Sequence, residues 1–132
     1  MDHPLQFDAD DPVLHRLRSI ALALPEAVET VTFGRPWFRA GRVFAVYGSA
    51  TKGPEKTQHP RAVIVHVDDD ERPARLQDPR FFVPGYFGPK GWLGIDLDPP
   101  DTDWAEVAEL LDAGHRFAAP PRLRRTVERD GR

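Results

Sequence analysis

Hydrophobic residues change their spacing twice along the chain, and this change restricts the fold more than any other feature. Near the N-terminus they recur every three or four residues, as on one face of a helix: Val13, Leu17, Ile20 and Leu24. In the stretches 31–49 and 62–67, aromatic and β-branched residues predominate, a pattern typical of strands. Helical spacing returns at 103–117. Helices at both ends of an antiparallel block predict an α+β fold, with one sheet flanked by an N-terminal helix and C-terminal helices.

Local signals place the ends of the two long helices. Asp11 precedes a proline that suits the first helical position, and Pro25 excludes helical geometry from the residue before it. We therefore predict a first helix over about 12–24. Asp103, with Glu106 three residues later, resembles a capping box at the start of the second helix.

The stretches 31–49 and 62–67 predict three strands. The stretch "VTFGRPWFRAGRVFAVYGS" suits a hairpin that turns at Ala40-Gly41, because glycine accepts positive φ. Its expected inward residues are Trp37, Val43 or Phe44, and Val46. Residues 49–61 hold no apolar side chain larger than alanine and predict a basic loop, and residues 62–67 predict a third strand. The segment "PEAVETV" before the hairpin predicts one short turn, and a short helix is expected near 71–77.

The stretch "GYFGPKGWLGID" places glycine at every third position from Gly85 to Gly94. A collagen helix needs many more repeats. "GPKG" also resembles the G-x-x-G loop with which KH domains hold a nucleic-acid backbone, but here it joins two predicted strands. We predict that Gly88–Gly91 forms a hairpin turn, and that Gly94 lies where another element packs closely.

Composition indicates one ordinary globular domain. The chain has 132 residues, 40% apolar and 30% charged, with a net charge of −3, so one domain over 1–132 is expected, with residues 1–10 and 124–132 frayed. Zero cysteines exclude disulfides and a cysteine nucleophile. The acidic N-terminus is unlike a signal peptide and no apolar run approaches the ~20 residues of a membrane span. We expect a cytoplasmic protein without cofactor, either a monomer or a weak homodimer.

Few residues carry catalytic chemistry. Ser19 lies within the first predicted helix, and Ser49 is not in a G-x-S-x-G context. His66 and Asp68 project from the same side of a predicted strand, but a strand that leads into a solvated acidic turn explains them equally well. We therefore expect no catalytic residue, no metal and no enzymatic activity.

The segment 35–61 holds six basic residues and one acidic residue, with aromatic residues between them. Arginine and lysine neutralise phosphates, and an exposed aromatic ring stacks on a base. Alternatively, Trp37 and Phe38 are core residues and the charges form the solvated face of a hairpin. The candidate nucleic-acid-binding residues are Arg35, Trp37, Arg39, Arg42, Lys52, Lys56, Arg61 and Lys90, with Arg124 or Arg125 as additions.

The order of four segments resembles the MmcQ/YjbR family of small bacterial proteins over about residues 12–123. These segments are "LPEAVE", "FGRPWFRAGRVFAVYG", "FFVPGYFGPKGWLGIDLD" and "DWAEVAELLDAGHRFAAPPRL". The resemblance implies an α+β, CyaY-like fold and a DNA-binding role, and it carries no catalytic residues. Where many relatives have Ser-Tyr or Ala-Tyr in the closing helix, this chain has Gly114-His115.

Two functions follow as hypotheses. The first is a DNA-binding accessory protein that contacts phosphates through the basic hairpin and loop. The second is a small-molecule or peptide-binding module with an apolar pocket between the sheet and the closing helix, lined by residues such as Trp92 and Trp104. One continuous positive face favours the first, whereas scattered charges beside an aromatic pocket favour the second.

Overall fold

The computed structural model describes residues 4–122 and has the predicted α+β architecture. Its helices are α1 (Pro12–Ala21), α2 (Arg72–Leu76) and α3 (Trp104–Ala118). Its strands are β1 (Val28–Thr32), β2 (Arg35–Ala40), β3 (Arg42–Ala50), β4 (Gln58–His66), β5 (Phe81–Phe82) and β6 (Trp92–Asp96). They form one antiparallel sheet in the order β1-β2-β3-β4-β6-β5. None of the helices described in residues 4–122 is long and apolar enough to cross a membrane.

Both long helices begin at the predicted aspartates. Asp11 accepts a hydrogen bond of 2.9 Å from the backbone N–H of Val13. Asp103 accepts from the N–H groups of Ala105 and Glu106, at 3.1 and 3.2 Å. The first helix ends at Ala21, three residues earlier than predicted, because the chain turns before Pro25. The side chain of Glu106 does not complete a capping box, because it pairs with two arginines, Arg75 and Arg80.

The strands extend further than the sequence predicted. The hairpin of β2 and β3 turns at Ala40-Gly41, as expected, with Gly41 at φ 80°. However, "PEAVETV" was assigned only a turn, and most of it forms the edge strand β1, paired with β2. β3 and β4 also extend into the predicted loop, which shrinks from 49–61 to 51–57. Pairing between Ser49 and His59 accounts for this extension.

The main core lies between one face of the sheet and the helices α1 and α3. Phe38, Phe44, Tyr47, Leu93 and Leu111 are all at most 1% exposed there. Of the two predicted alternatives at positions 43 and 44, Phe44 is therefore the residue that enters this core.

The opposite face of the sheet has a smaller cluster with no long helix over it. Val46, Ile64, Phe87 and Trp92 are buried in it, and Trp37, Val43 and Phe82 are partly buried against them. Trp37 and Val46 point inward, as predicted, but they enter this smaller cluster and not the main core that contains Phe44. The register explains this placement: Trp37 pairs with Val46 and Val46 with Ile64, so all three point away from the helices.

The glycine-rich segment is a longer connection than the predicted tight hairpin. It joins β5 to β6 as expected, but it spans 83–91 and contains one 3₁₀ turn, Gly88–Lys90. Gly91 has φ 89°, so the prediction of a positive-φ glycine at that position is confirmed. The close approach at Gly94 is also confirmed, since a Cβ there would lie 2.7 Å from ring carbons of Phe82.

Candidate nucleic-acid interface

The face of the sheet opposite α1 and α3 contains a cleft of about 640 Å³. Its floor is formed by β2, β3 and β4, and its walls are formed by the 51–57 loop and the 83–91 connection. Three cations and four aromatic residues line it: Arg35, Lys52, Lys56, Phe33, Trp37, Tyr86 and Phe87. Among the described residues, no aspartate or glutamate lines the cleft. The cleft therefore combines positive charge with flat apolar surface.

The structure brings most of the predicted binding residues to this face. Arg35, Trp37, Lys52 and Lys56 line the cleft itself. Arg39 lies next to it, with its guanidinium carbon 5.1 Å from the centroid of the Trp37 ring. Lys90 lies at the rim, where its ammonium group donates a 3.0 Å hydrogen bond to the Tyr86 hydroxyl.

Two predicted residues have positions elsewhere. The guanidinium of Arg42 donates to the carbonyl oxygens of Phe117 and Ala118, at 2.7 and 3.3 Å, and so caps the end of α3. Arg61 donates to Oδ2 of Asp11 at 3.1 Å, at the start of α1. The structure does not bring either residue to the cleft. Arg124 and Arg125 lie outside the described residues.

Arg35 is held in the cleft by two neighbours, Gln6 and Gly48. The register of β2 points it away from the helices, and its Nη2 donates a 3.0 Å hydrogen bond to Oε1 of Gln6. Its Nη1 lies against the Cα of Gly48, where φ is 85° and where any Cβ would collide with the guanidinium. A Cβ at Gly48 would also lie 3.2 Å from the carbonyl oxygen of Pro60. A glycine at position 48 is thus required for the arginine to lie in this position.

Arg35 has no carboxylate within ion-pair distance in residues 4–122, whereas Arg18, Arg61 and Arg72 each have one. Burial lowers the pKa of Arg35 below its ordinary value. A partly buried guanidinium loses part of its hydration free energy, and without a counter-charge no ion pair compensates for that loss. This is the electrostatic condition in which an anion from outside the protein binds favourably.

The aromatic residues form a continuous series along the cleft. Ring centroids are 5.9 Å apart between Phe33 and Trp37 and 5.6 Å apart between Trp37 and Phe87. The Phe87 centroid is 4.9 Å from that of Tyr86. Only Trp37 of these four was predicted as a binding residue, because the other three lie outside the basic segment 35–61.

Two of these aromatic residues have left-handed backbone geometry. Phe33 has φ 52° and Tyr86 has φ 60°, and the two residues are 62% and 68% exposed. Non-glycine residues pay about 1–2 kcal/mol in this region, and such strain concentrates at functional sites. Two strained, exposed aromatic residues in one cleft are therefore a signal that favours a binding site over a solvated surface.

The other candidate sites from the sequence have structural explanations. His66 stacks on Phe117 with centroids 3.5 Å apart, and within residues 4–122 no three His, Cys, Asp or Glu residues form a group suited to a metal. Ser49 donates a hydrogen bond to the carbonyl of Ala50 at 3.4 Å. Each of these side chains therefore has a contact within the fold that accounts for its position.

The structure does not bring Trp92 and Trp104 together in one pocket between the sheet and the closing helix. Trp92 lies in the small cluster on the cleft side, whereas Trp104 packs against the main core on the helix side. The two tryptophans are on opposite faces of the sheet, so they cannot line a single pocket. The space between sheet and α3 is occupied by core side chains.

Comparison with known proteins identifies the family. The family model described as YjbR matches residues 22–117. The chain belongs to the YjbR family. The matched range begins after α1 and ends within the last turn of α3, so it contains every strand of the YjbR sheet and the whole cleft except Gln6. None of the curated proteins compared matches the chain significantly.

A solved structure has the same fold. The crystal structure of Deinococcus radiodurans protein DR2400, described as a DUF419 domain, superposes with a TM-score of 0.62 at 23% sequence identity. The match covers 79% of this YjbR chain and 76% of DR2400. At this identity the likeness shows a shared fold.

The Gly114-His115 pair of this YjbR chain has a packing role. His115 is 1% exposed, and its Nε2 donates a 2.9 Å hydrogen bond to the carbonyl oxygen of Pro25. A Cβ at Gly114 would lie 2.9 Å from the carbonyl oxygen of Phe44, so this glycine lets α3 approach β3 closely. The pair faces the helix side, away from the cleft.

Proposed function

We propose that this protein binds nucleic acid through the cleft side of its sheet. The observation that carries the proposal is the composition of the cleft, which has three cations, four aromatic residues and no acidic residue among those described. Phosphates are recognised by arginine and lysine, and bases stack on aromatic rings. A ligand that carries both groups in repeated units is a nucleic acid.

Because the protein as a whole is negatively charged, the positive charge of the cleft is a local feature. The net charge is −3, so the chain does not attract polyanions as a whole. Arg18, Arg75 and Arg80 are neutralised by Glu29, Glu106 and Asp78 at 2.6–3.0 Å. The cleft, where Arg35 has no such partner, is consequently where a phosphate gains most from binding.

The proposed role is binding, with no reaction catalysed. We propose that the protein acts in the cytoplasm, as a monomer or a weak homodimer, and that it needs no cofactor. DNA is the nucleic acid that the resemblance of the sequence to its family favours.

Fluorescence anisotropy with labelled oligonucleotides tests the proposal. We expect binding at about 20 mM salt that weakens linearly in a plot of log K against log salt, with a slope near −0.7 per phosphate contacted in a single strand. The double variant Lys52→Gln/Lys56→Gln should reduce that slope by about 1.4. The matched control Arg16→Gln/Arg116→Gln also removes two charges, one from each long helix on the other face, and should leave the slope unchanged. Absence of binding to single-stranded and duplex DNA at low salt would contradict the proposal.

A small anionic molecule with a flat ring is the second candidate. The cleft volume of about 640 Å³ falls in the range of about 300–1,000 Å³ found for small-molecule sites. A mononucleotide that raises the melting temperature of the protein, without any affinity for oligonucleotides, would favour this alternative.

A further inference from the structure

The shape of the cleft bears on which form of nucleic acid it receives. Proteins that read duplex DNA insert a helix or a two-stranded ribbon into a groove about 12 Å wide. Here the charged and aromatic residues lie in a concavity between the 51–57 loop and the 83–91 connection. Both long helices are on the opposite face. A concave site receives a protruding group, and the protruding group of a nucleic acid is an unpaired base.

We propose that the cleft binds single-stranded nucleic acid, with one unpaired base on the Trp37 and Tyr86 side and its phosphate on the guanidinium of Arg35. This inference rests on the nucleic-acid binding proposed above and names the form of the ligand. Its two parts have separate support, one from the aromatic residues and one from the arginine.

The arginine supplies a built anion site. Its guanidinium is fixed on one side by Gln6, at 3.0 Å, and on the other by the bare Cα of Gly48. The remaining donors of the guanidinium have no carboxylate partner among residues 4–122. Arginine binds phosphate through paired hydrogen bonds that are stronger than those of neutral groups. The fixed orientation lowers the entropy lost when such a pair forms.

The aromatic residues supply the surface for a base. Tyr86 is 68% exposed, and it is held over the cleft by the neighbouring glycine, since Gly85 donates a 2.8 Å hydrogen bond from its N–H to the carbonyl oxygen of Ala50. Trp37 forms part of the floor, with the Phe87 ring edge against it at 5.6 Å between centroids. A base of a duplex is already stacked between its neighbours, so only an unpaired base can use these rings.

The volume limits the number of units bound. Sites of this volume, about 640 Å³, enclose ligands of drug size, which is the size of a nucleotide. The cleft therefore holds about one or two units of a strand, and the rest of the strand runs past its rim, where Arg39 and Lys90 lie.

The test compares a labelled ten-residue thymidine strand with the same strand annealed to its complement, using the full chain. We expect at least ten-fold tighter binding of the single strand. Arg35→Gln should lower single-strand affinity about ten-fold and duplex affinity by less than that, and the matched control Arg116→Gln should change neither. Tyr86→Asn should lower single-strand affinity five-fold or more, since one stacked base is lost. Asparagine tolerates the left-handed backbone, so this variant should fold even if Arg35→Gln does not.

Three results would overturn the inference, and they are distinguishable. Equal or tighter duplex binding would refute the single-strand preference while leaving nucleic-acid binding in place. An Arg35→Gln loss no larger than that of Arg116→Gln, with Tyr86→Asn also unchanged, would remove the cleft from the interface. Thymidine monophosphate that displaces the strand at equal concentration would assign the site to free nucleotides. Absence of any binding would instead refute the proposed function itself.

Discussion

The guanidinium of Arg35 lies directly against the Cα of Gly48, so that a side chain at position 48 would displace it. The two residues lie on the adjacent strands β2 and β3, and the contact is on the cleft side of the sheet. Because Gly48 also has φ 85°, two separate physical reasons favour glycine there. The position of Arg35 in the cleft consequently depends on a residue that has no side chain.

Replacement of Gly48 by alanine should both destabilise the protein and displace Arg35. The left-handed backbone costs about 1 kcal/mol for alanine. The movement of Arg35 away from the added Cβ should bring the total loss of stability to about 2–3 kcal/mol. The control is Gly53→Ala. Gly53 has φ 113° but nothing within 4 Å of an added Cβ, so it introduces strain without the clash. Urea denaturation should show a larger loss of stability for Gly48→Ala than for Gly53→Ala, which lies in the cleft wall and is a control for stability alone. Gly48→Ala should also weaken single-strand binding to the extent that Arg35→Gln does. Equal losses of stability in the two alanine variants would contradict the account.

Removal of the Tyr47 hydroxyl should destabilise the protein in a pH-dependent manner. The phenol donates a 2.7 Å hydrogen bond to Oδ2 of Asp11, which is 4% exposed. Burial raises the pKa of Asp11, but hydrogen bonds from Tyr47 and Val13 and the charge of Arg61 outweigh it, so that the pKa lies below its ordinary value of 3.8. Tyr47→Phe should therefore cost about 1–3 kcal/mol at pH 7.

The sign of the pH dependence follows from the lowered pKa of Asp11. A carboxyl with a lowered folded-state pKa contributes stability above its unfolded-state pKa, and this stability is lost as pH falls through the folded-state value. The difference between wild type and Tyr47→Phe should accordingly shrink below about pH 4. Thermal denaturation at pH 7 and pH 3 measures it. Tyr86→Phe is the control, because that hydroxyl is on an exposed residue and its loss should change stability by less than about 0.5 kcal/mol at either pH. A constant difference across pH would contradict the role of the Asp11 carboxylate.

Phe33→Asn should raise stability while it weakens binding. Phe33 and Gly34 join β1 to β2 with φ values of 52° and 80°, the geometry of a type I′ turn, in which Asn-Gly is preferred. Relief of about 1 kcal/mol of strain exceeds the loss of the tilted contact with Trp37, worth about 0.5 kcal/mol. Phe33→Leu keeps the strain and loses the ring, so it should lower stability. A loss of stability in Phe33→Asn would contradict the assignment of backbone strain to Phe33, and an unchanged single-strand affinity would remove its ring from the binding surface.

The parts of the fold that were predicted correctly are those fixed by local sequence. Asp11 and Asp103 begin helices through hydrogen bonds to residues two or three positions away. The turn at Gly41 depends on one glycine that accepts positive φ. β1 was missed because its turn to β2 carries Phe33 where asparagine or glycine would have signalled a hairpin, and because only two of its five residues are partly buried.

The site was predicted less completely because it depends on contacts between distant parts of the chain. Arg35, Trp37, Lys52 and Lys56 were identified from a basic segment with aromatic residues. Tyr86 and Phe87 enter the cleft because Gly85 bonds to Ala50, which lies 35 positions earlier in the chain. Arg42 and Arg61 have the same composition signal, but their partners, at the end of α3 and the start of α1, are distant in sequence. The composition of a segment does not show whether an arginine in it has a partner elsewhere in the fold.

The three tryptophans provide the most direct test of the central claim, that nucleic acid binds in the cleft. Trp37 lines the cleft, Trp92 is buried beneath it, and Trp104 packs against the core on the opposite face. Their indole N–H signals in a ¹H–¹⁵N spectrum can be assigned by single Trp→Phe substitutions. On titration with a ten-residue thymidine strand, we predict a large shift of the Trp37 signal, a smaller one for Trp92 and none for Trp104. A shift of Trp104 with Trp37 unchanged would place the ligand on the helix side and contradict the account.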